Sequence, residues 1–113
     1  MNMNVVPNED MAAARLARLS PDLDARMAEI VDALLALAGA AHRDAVIELI
    51  ARRRTGQAAS PGLKAELIAA FEAHRQTLQA RGLVPLVHRP FGDRSLRWAL
   101  TPEADDFLRR AVR

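Results

Sequence analysis

Apolar positions recur along this chain with two different periods. Leu23, Met27, Ile30, Val31, Leu34, Leu37 and Ala38 follow one another at intervals of three or four, the spacing of a single helix face. In front of them Ser20-Pro21-Asp22 supplies a side-chain cap, a ring that presets the first helical φ and a carboxylate for the positive helix end. Gly39 behind them offers a left-handed stop, so a helix over 21–38 is predicted. A second helix over 42–54 carries Val46, Ile47, Leu49 and Ile50 on its apolar side, Arg52, Arg53 and Arg54 at its negative end, and Gly56 as its terminator. After the connection 57–59, Ser60-Pro61 opens a third helix. Leu63, Leu67, Ile68, Phe71 and Leu78 share a face down to Arg81, and Gly82 is the expected stop. At about 100° per residue, Glu66, Ala69, Ala73, Gln76, Thr77 and Ala80 fall opposite that face, which leaves the outer side of this helix small and nearly neutral.

Beyond Gly82 the pattern changes. Residues 83–89 and 94–100 are rich in Val, Leu and Trp and flank the turn-forming Pro90-Phe91-Gly92-Asp93, the signature of a β-hairpin with a longer loop. Pro85 restricts the first strand to an edge. Alternation puts Leu96, Trp98 and Leu100 on one face and Ser95 with Arg97 on the other. A ribbon this small is unstable alone, so it must lie on the helices with Trp98 inward. Thr101-Pro102-Glu103 then repeats the cap, proline and acid signature. It opens a helix over 102–113 that buries Ala104, Phe107, Leu108 and Ala111 or Val112 and leaves Arg109, Arg110 and Arg113 in solvent. At the other terminus, residues 1–8 have no periodicity and read as a disordered arm. Met11, Ala14, Leu16 and Leu19 suggest a short helix over 9–19, and 9–113 reads as one domain.

The fold class implied is α+β and mostly helical. Helix, helix, helix, hairpin, helix is the order of the winged helix-turn-helix. Arg81-Gly82-Leu83-Val84, Asp93-Arg94 and Leu100-Thr101-Pro102-Glu103 resemble the recognition-helix end, the wing and the start of the closing helix in regulators of the MarR and PadR type. The resemblance covers residues 63–113. It implies a double-stranded DNA-binding transcriptional regulator whose third helix enters the major groove while the wing reaches phosphate or the minor groove. Under that reading Arg94, Arg97 and Arg89 are the wing contacts and Arg52, Arg53 and Arg54 the flanking phosphate contacts. Gln76, Thr77 and Arg75 are the base-edge readers. A homodimer is expected, because one wing and one helix make few contacts and two half-sites multiply affinity. The helix over 21–38 is apolar enough to serve both the core and a dimer seam. Winged helices also act as protein-docking modules, so an adaptor that binds a protein partner with little or no DNA is the alternative.

Charge sharpens this picture. The net charge is only +2, and the pI near 10.3 reflects the absence of Cys and Tyr and the presence of a single lysine, Lys64, rather than a large basic excess. The distribution is more telling. Residues 1–51 hold eight acids against four arginines, a net −4, and residues 52–113 hold six acids against twelve bases, a net +6. One end is built to face an anion.

Other classes are disfavoured. The richest apolar segment, 30–41, is interrupted by Asp32, so no membrane span is expected. Residues 4–10 are polar and acidic rather than a secretory signal, which points to the cytoplasm. Without cysteine there is no disulfide framework, thiolate nucleophile or Cys-based metal site. His42, His74 and His88 fall on three different elements without paired carboxylates at metal-ligand spacing, and no Gly-rich nucleotide loop is present. No enzyme activity, metal or cofactor is therefore expected, and His74 reads as a residue at the edge of the core.

Overall fold

The computed structural model describes residues 23–111, and within them the chain is α+β and mostly helical. The arm over 1–8 and the short helix over 9–19 lie outside the described residues. The first described helix, α1 (Ala25–Ala36), starts later than the Pro21 signal suggests. Asp24 sits in extended conformation and its carboxylate accepts the Arg26 backbone N–H at 2.7 Å, a complete N-cap of its own. The helix ends where Ala38 (φ 67°) and Gly39 (φ 94°) both turn left-handed and the Gly39 N–H donates to the Leu34 carbonyl at 2.7 Å. A Cβ at position 39 would come within 3.3 Å of Arg109 Nη2 and 3.4 Å of Asp105 Oδ1, so this turn is also packed against the last helix.

That turn returns the chain as a strand the hydrophobic pattern does not announce, β1 (Ala40–His42). His42 Nδ1 then accepts the Asp44 N–H at 3.0 Å and caps α2 (Arg43–Thr55), which stops at left-handed Gly56. Ser60 Oγ accepts the Leu63 N–H at 3.1 Å and Pro61 occupies the first turn, starting the 20-residue α3 (Pro61–Ala80) where the sequence predicts it. The hairpin follows with shorter strands than expected, β2 (Val87–His88) and β3 (Arg97–Leu100), and α4 (Pro102–Ala111) closes the described chain.

The sheet runs β1-β3-β2 and is antiparallel throughout. Ala41 faces Trp98 on one side of β3, and Val87 faces Leu100 on the other. Thr101 is buried and joins three parts: its Oγ1 donates to the Pro85 carbonyl at 2.8 Å and accepts the Ala104 N–H of α4 at 3.4 Å, and its N–H donates to the Leu86 carbonyl at 2.9 Å.

The core is built around α1. Met27, Ile30, Val31, Ala33 and Leu34 are all 1% exposed or less and pack with Val46, Ile47 and Ile50 of α2, Leu67 and Phe71 of α3, Val87, Trp98, Leu100 and Leu108. Of the apolar stripe expected to serve both core and dimer seam, Met27, Ile30, Val31 and Leu34 are buried in the core, while Leu23 and Leu37 are half-buried and Ala38 is exposed. Trp98 is inward, as alternation requires, and its ring stacks on Phe71 with centroids 4.0 Å apart and planes 9° from parallel. Two expectations fail at the periphery. Leu96 is 40% exposed because it precedes the paired strand, and Phe107 is 46% exposed because Ala104 and Leu108 already fill the contact between α4 and the sheet. Among the described residues no helix is long and apolar enough to cross a membrane.

Candidate nucleic-acid interface

The arginines named from the sequence divide into two groups by what surrounds them. Arg94, in the loop between β2 and β3, and Arg97, the first residue of β3, are exposed and have no acidic partner among the described residues. Their loop is a sequence of tight turns. The Gly92 N–H donates to the Arg89 carbonyl at 3.2 Å, the Ser95 N–H to the Gly92 carbonyl at 3.0 Å, and the Arg97 N–H to Ser95 Oγ at 3.1 Å. Gly92 takes φ 97°, which a side-chain-bearing residue adopts only under strain. Phe91 stands at the tip, 74% exposed.

Arg89 and Arg75 behave differently. Glu72 on α3 pairs with both guanidiniums, with Arg75 Nη1 at 3.0 Å and with Arg89 Nη2 at contact distance, and Asp93 approaches Arg75 from the hairpin loop at 3.8 Å. Both guanidiniums also lie over the Phe71 ring, Arg89 at 5.3 Å and Arg75 at 5.9 Å from its centroid. Their side chains are only 12% and 18% exposed, respectively. The network therefore fastens the base of the hairpin to α3 across the Phe71–Trp98 stack and holds Arg75 and Arg89 inward, leaving Gln76 and Thr77 as the exposed polar side chains among the expected readers.

The run at the end of α2 divides in the same way. Arg54 donates to Glu29 from Nε at 2.9 Å and also from Nη2, and Arg53 lies 3.6 Å from Asp32, so both tie α2 to α1. Arg52 is exposed with no acidic partner among the described residues. Lys64 is paired with Asp44 at 3.2 Å, and this contact holds the Asp44 carboxyl below the usual carboxylate range. Arg81 joins the exposed cations although the sequence pattern assigns it no contact. It sits just past α3, exposed and without an acidic partner among the described residues. Its signal in the sequence is its position, directly before the Gly82 stop and outside every helical acid's reach.

The outer face of α3 matches its helical projection, with Ala69, Ala73, Gln76, Thr77 and Ala80 exposed. Beside it lies a groove of about 790 Å³ between the start of α1, the second half of α3 and residues 83–86. His74 forms part of its wall, where Nε2 accepts the Leu86 N–H at 3.0 Å, and burial pushes its pKa below the ordinary histidine value. Two of the three histidines thus have backbone partners, His42 as a helix cap and His74 as an acceptor for the strand approach. No cluster of three His, Cys, Asp or Glu able to hold a metal ion occurs among the described residues.

Comparison with family models, with characterised proteins and with solved structures finds no match to this chain, so the geometry alone carries its functional reading.

Proposed function

We propose that this chain is a winged helix-turn-helix protein that binds double-stranded DNA and regulates transcription. The fold part of the reading is supported by the element order α1-β1-α2-α3-β2-β3-α4 and by β1 pairing with β3, the central strand of the sheet, whose β2–β3 hairpin corresponds to a wing under this reading. The function part is carried by one observation. Most of the described arginines are neutralised by acids of the same chain, yet Arg94 and Arg97 on the hairpin are left exposed and unpaired among the described residues. Arginines left exposed on a loop of hydrogen-bonded turns suit bidentate contacts to phosphate. Arg52 and Arg81 extend the same unpaired set, whereas Arg75, Arg89, Arg53 and Arg54 act as struts that hold the frame. Gln76 and Thr77 are the side chains of α3 that reach base edges.

A duplex mobility shift across a salt series tests this. Replacing Arg94 and Arg97 with Ala should weaken binding on all sequences alike and reduce the log-log salt slope by about 0.9 for each phosphate no longer neutralised. Replacing Gln76 and Thr77 should change sequence preference with the slope nearly unchanged. Unchanged affinity and slope in the wing variant would sink the DNA reading in favour of the adaptor reading. The neutral face of Ala69, Ala73 and Ala80 supports that second reading, since it offers close approach to a protein and little to a phosphate.

Two half-sites still require two copies. Because Met27, Ile30, Val31 and Leu34 of α1 are committed to the core, the homodimer contact belongs elsewhere, and the half-exposed Phe107 on α4 is its candidate anchor. Sedimentation at micromolar concentration should show a dimer that Phe107→Asp dissociates. A native chain of 12.4 kDa mass in solution would remove the dimer from the proposal.

A further inference from the structure

Phe91 is the most exposed large apolar side chain among the described residues, and it stands in the hairpin loop between Arg89 and Arg94. An aromatic ring left in water forgoes its main contribution, and the core does not need this one, since Phe71 and Trp98 are fully buried without it. We propose that Phe91 is a wedge for duplex DNA: the hairpin enters the minor groove and the ring slips between two base pairs, unstacking one step and kinking the duplex. The inference rests on the DNA reading and deepens it, from a protein that holds a duplex to one that bends it.

The backbone presents the ring without strain. The turn closed by the Gly92 N–H on the Arg89 carbonyl has Pro90, whose ring presets φ, at its second position and Phe91 at its third. Phe91 keeps a negative φ there, and the left-handed conformation falls on Gly92. The next turn, closed by the Ser95 N–H on the Gly92 carbonyl, puts Arg94 at its own third position, so ring and guanidinium hold equivalent corners of consecutive turns. Arg89, which begins the first turn, is paired with Glu72 of α3 and ties the loop to the helix. A ring carried on such a turn gives up little conformational freedom on insertion.

The charges around it suit an opened base step. Arg94 and Arg97 are exposed with no acidic partner among the described residues, placed to neutralise the phosphates that flank an inserted ring. Asp93, the acid between Phe91 and Arg94, has Arg75 Nη2 at 3.8 Å, which offsets part of its charge. A single ring also selects DNA over a lipid surface. Pro90, Gly92 and Asp93 add no second apolar anchor, and one side chain beside an acid holds a bilayer weakly, whereas one ring is what a single opened step receives. Pyrimidine–purine steps unstack most readily, so the wedge should favour TpA over a stiff A-tract.

The test uses the full chain and two duplexes of about 24 base pairs and equal composition, one of alternating TpA steps and one a single A-tract, each with 2-aminopurine in place of a central adenine. At low salt the parent should bind the alternating duplex at least about fivefold more tightly, raise its 2-aminopurine emission at least about twofold as a step unstacks, and bring fluorophores on the duplex ends closer together. Phe91→Ala should lose all three effects and keep the salt slope, because the ring neutralises no phosphate. Phe91→Leu should retain most of them, since an aliphatic side chain also wedges. Both substitutions fall on an exposed side chain, and circular dichroism verifies folding. A parent that binds neither duplex overturns the DNA reading and the wedge together. Salt-dependent binding without the emission rise, or with a rise that persists in Phe91→Ala, overturns the wedge and leaves the DNA reading standing. Phe91-dependent binding to phosphatidylcholine–phosphatidylserine vesicles in place of unstacking would assign the ring to a lipid surface, and a dimer dissociated by Phe91→Ala would assign it to a second copy; either overturns the proposal.

Discussion

Trp98 shows how one residue can be legible in sequence while its energetic setting is not. Alternation along residues 94–100 gives its inward direction, but the stack on Phe71, 27 positions earlier in the chain, depends on how the hairpin lies on α3. Trp98→Ala removes the largest fully buried side chain and should cost roughly 3–5 kcal/mol in a denaturant titration. His74 is a second case. Its helical position marks it as a boundary residue, and the structure adds the acceptor role toward Leu86. Because burial lowers its pKa, the unfolded chain binds a proton there before the folded chain does. The stabilising contribution is therefore fully present above pH about 6.5 and declines as pH falls through the lower folded value. His74→Gln keeps an acceptor without titrating, so stability measured from about pH 7 down to about pH 5 should fall less steeply in the variant than in the parent. Parallel curves would assign the dependence to other groups. Arg75 and Arg89 mark the limit of reading residues singly, since each looks like a free cation until Glu72, three and seventeen positions away, is seen between them.

Helix termini are the most legible features at the scale of elements, because a cap is local. Ser60-Pro61 and Gly82 bound α3 closely, and Thr101-Pro102 opens α4 where expected. The strand β1 is illegible for the opposite reason. Ala40-Ala41-His42 has no alternation of its own, and it is a strand only because the left-handed turn at Ala38 and Gly39 returns it beside β3. Sequence pattern overextends the hairpin because Val, Leu and Trp content continues past the residues that find hydrogen-bond partners. What fixes this hairpin is not ladder length but the Glu72 network and the Thr101 junction. Glu72→Ala leaves two guanidiniums beside Phe71 without their anion. With Glu72 30% exposed, the expected cost is roughly 1–2 kcal/mol, between a surface and a buried pair. Amide exchange at Val87 and Ala99 should accelerate more than at α2. Uniform acceleration across the chain would mean that the network stabilises the fold without fastening the hairpin.

Across the whole molecule, the charge asymmetry seen in the sequence resolves into a division of labour. The acids of α1 are matched with the arginines of α2, Glu29 with Arg54 and Asp32 with Arg53, so part of the N-terminal negative excess cancels the C-terminal positive excess inside the frame. What remains uncancelled among the described residues is Arg52, Arg81, Arg94 and Arg97. A count of basic residues overstates this surface, because cations serving as struts carry the same formal charge as cations facing outward. Charge counting along the chain has no means of separating the two kinds, since the pairings of Arg53, Arg54 and Arg89 join elements distant in sequence.

The Phe71–Trp98 stack has an optical consequence. Trp98 is the single tryptophan and there is no tyrosine, so the near-ultraviolet emission of the protein comes from one indole, stacked on the Phe71 ring over which the Arg75 and Arg89 guanidiniums lie. Any ligand that shifts the hairpin against α3 changes the field at that indole, and the protein thereby carries its own label for such movement.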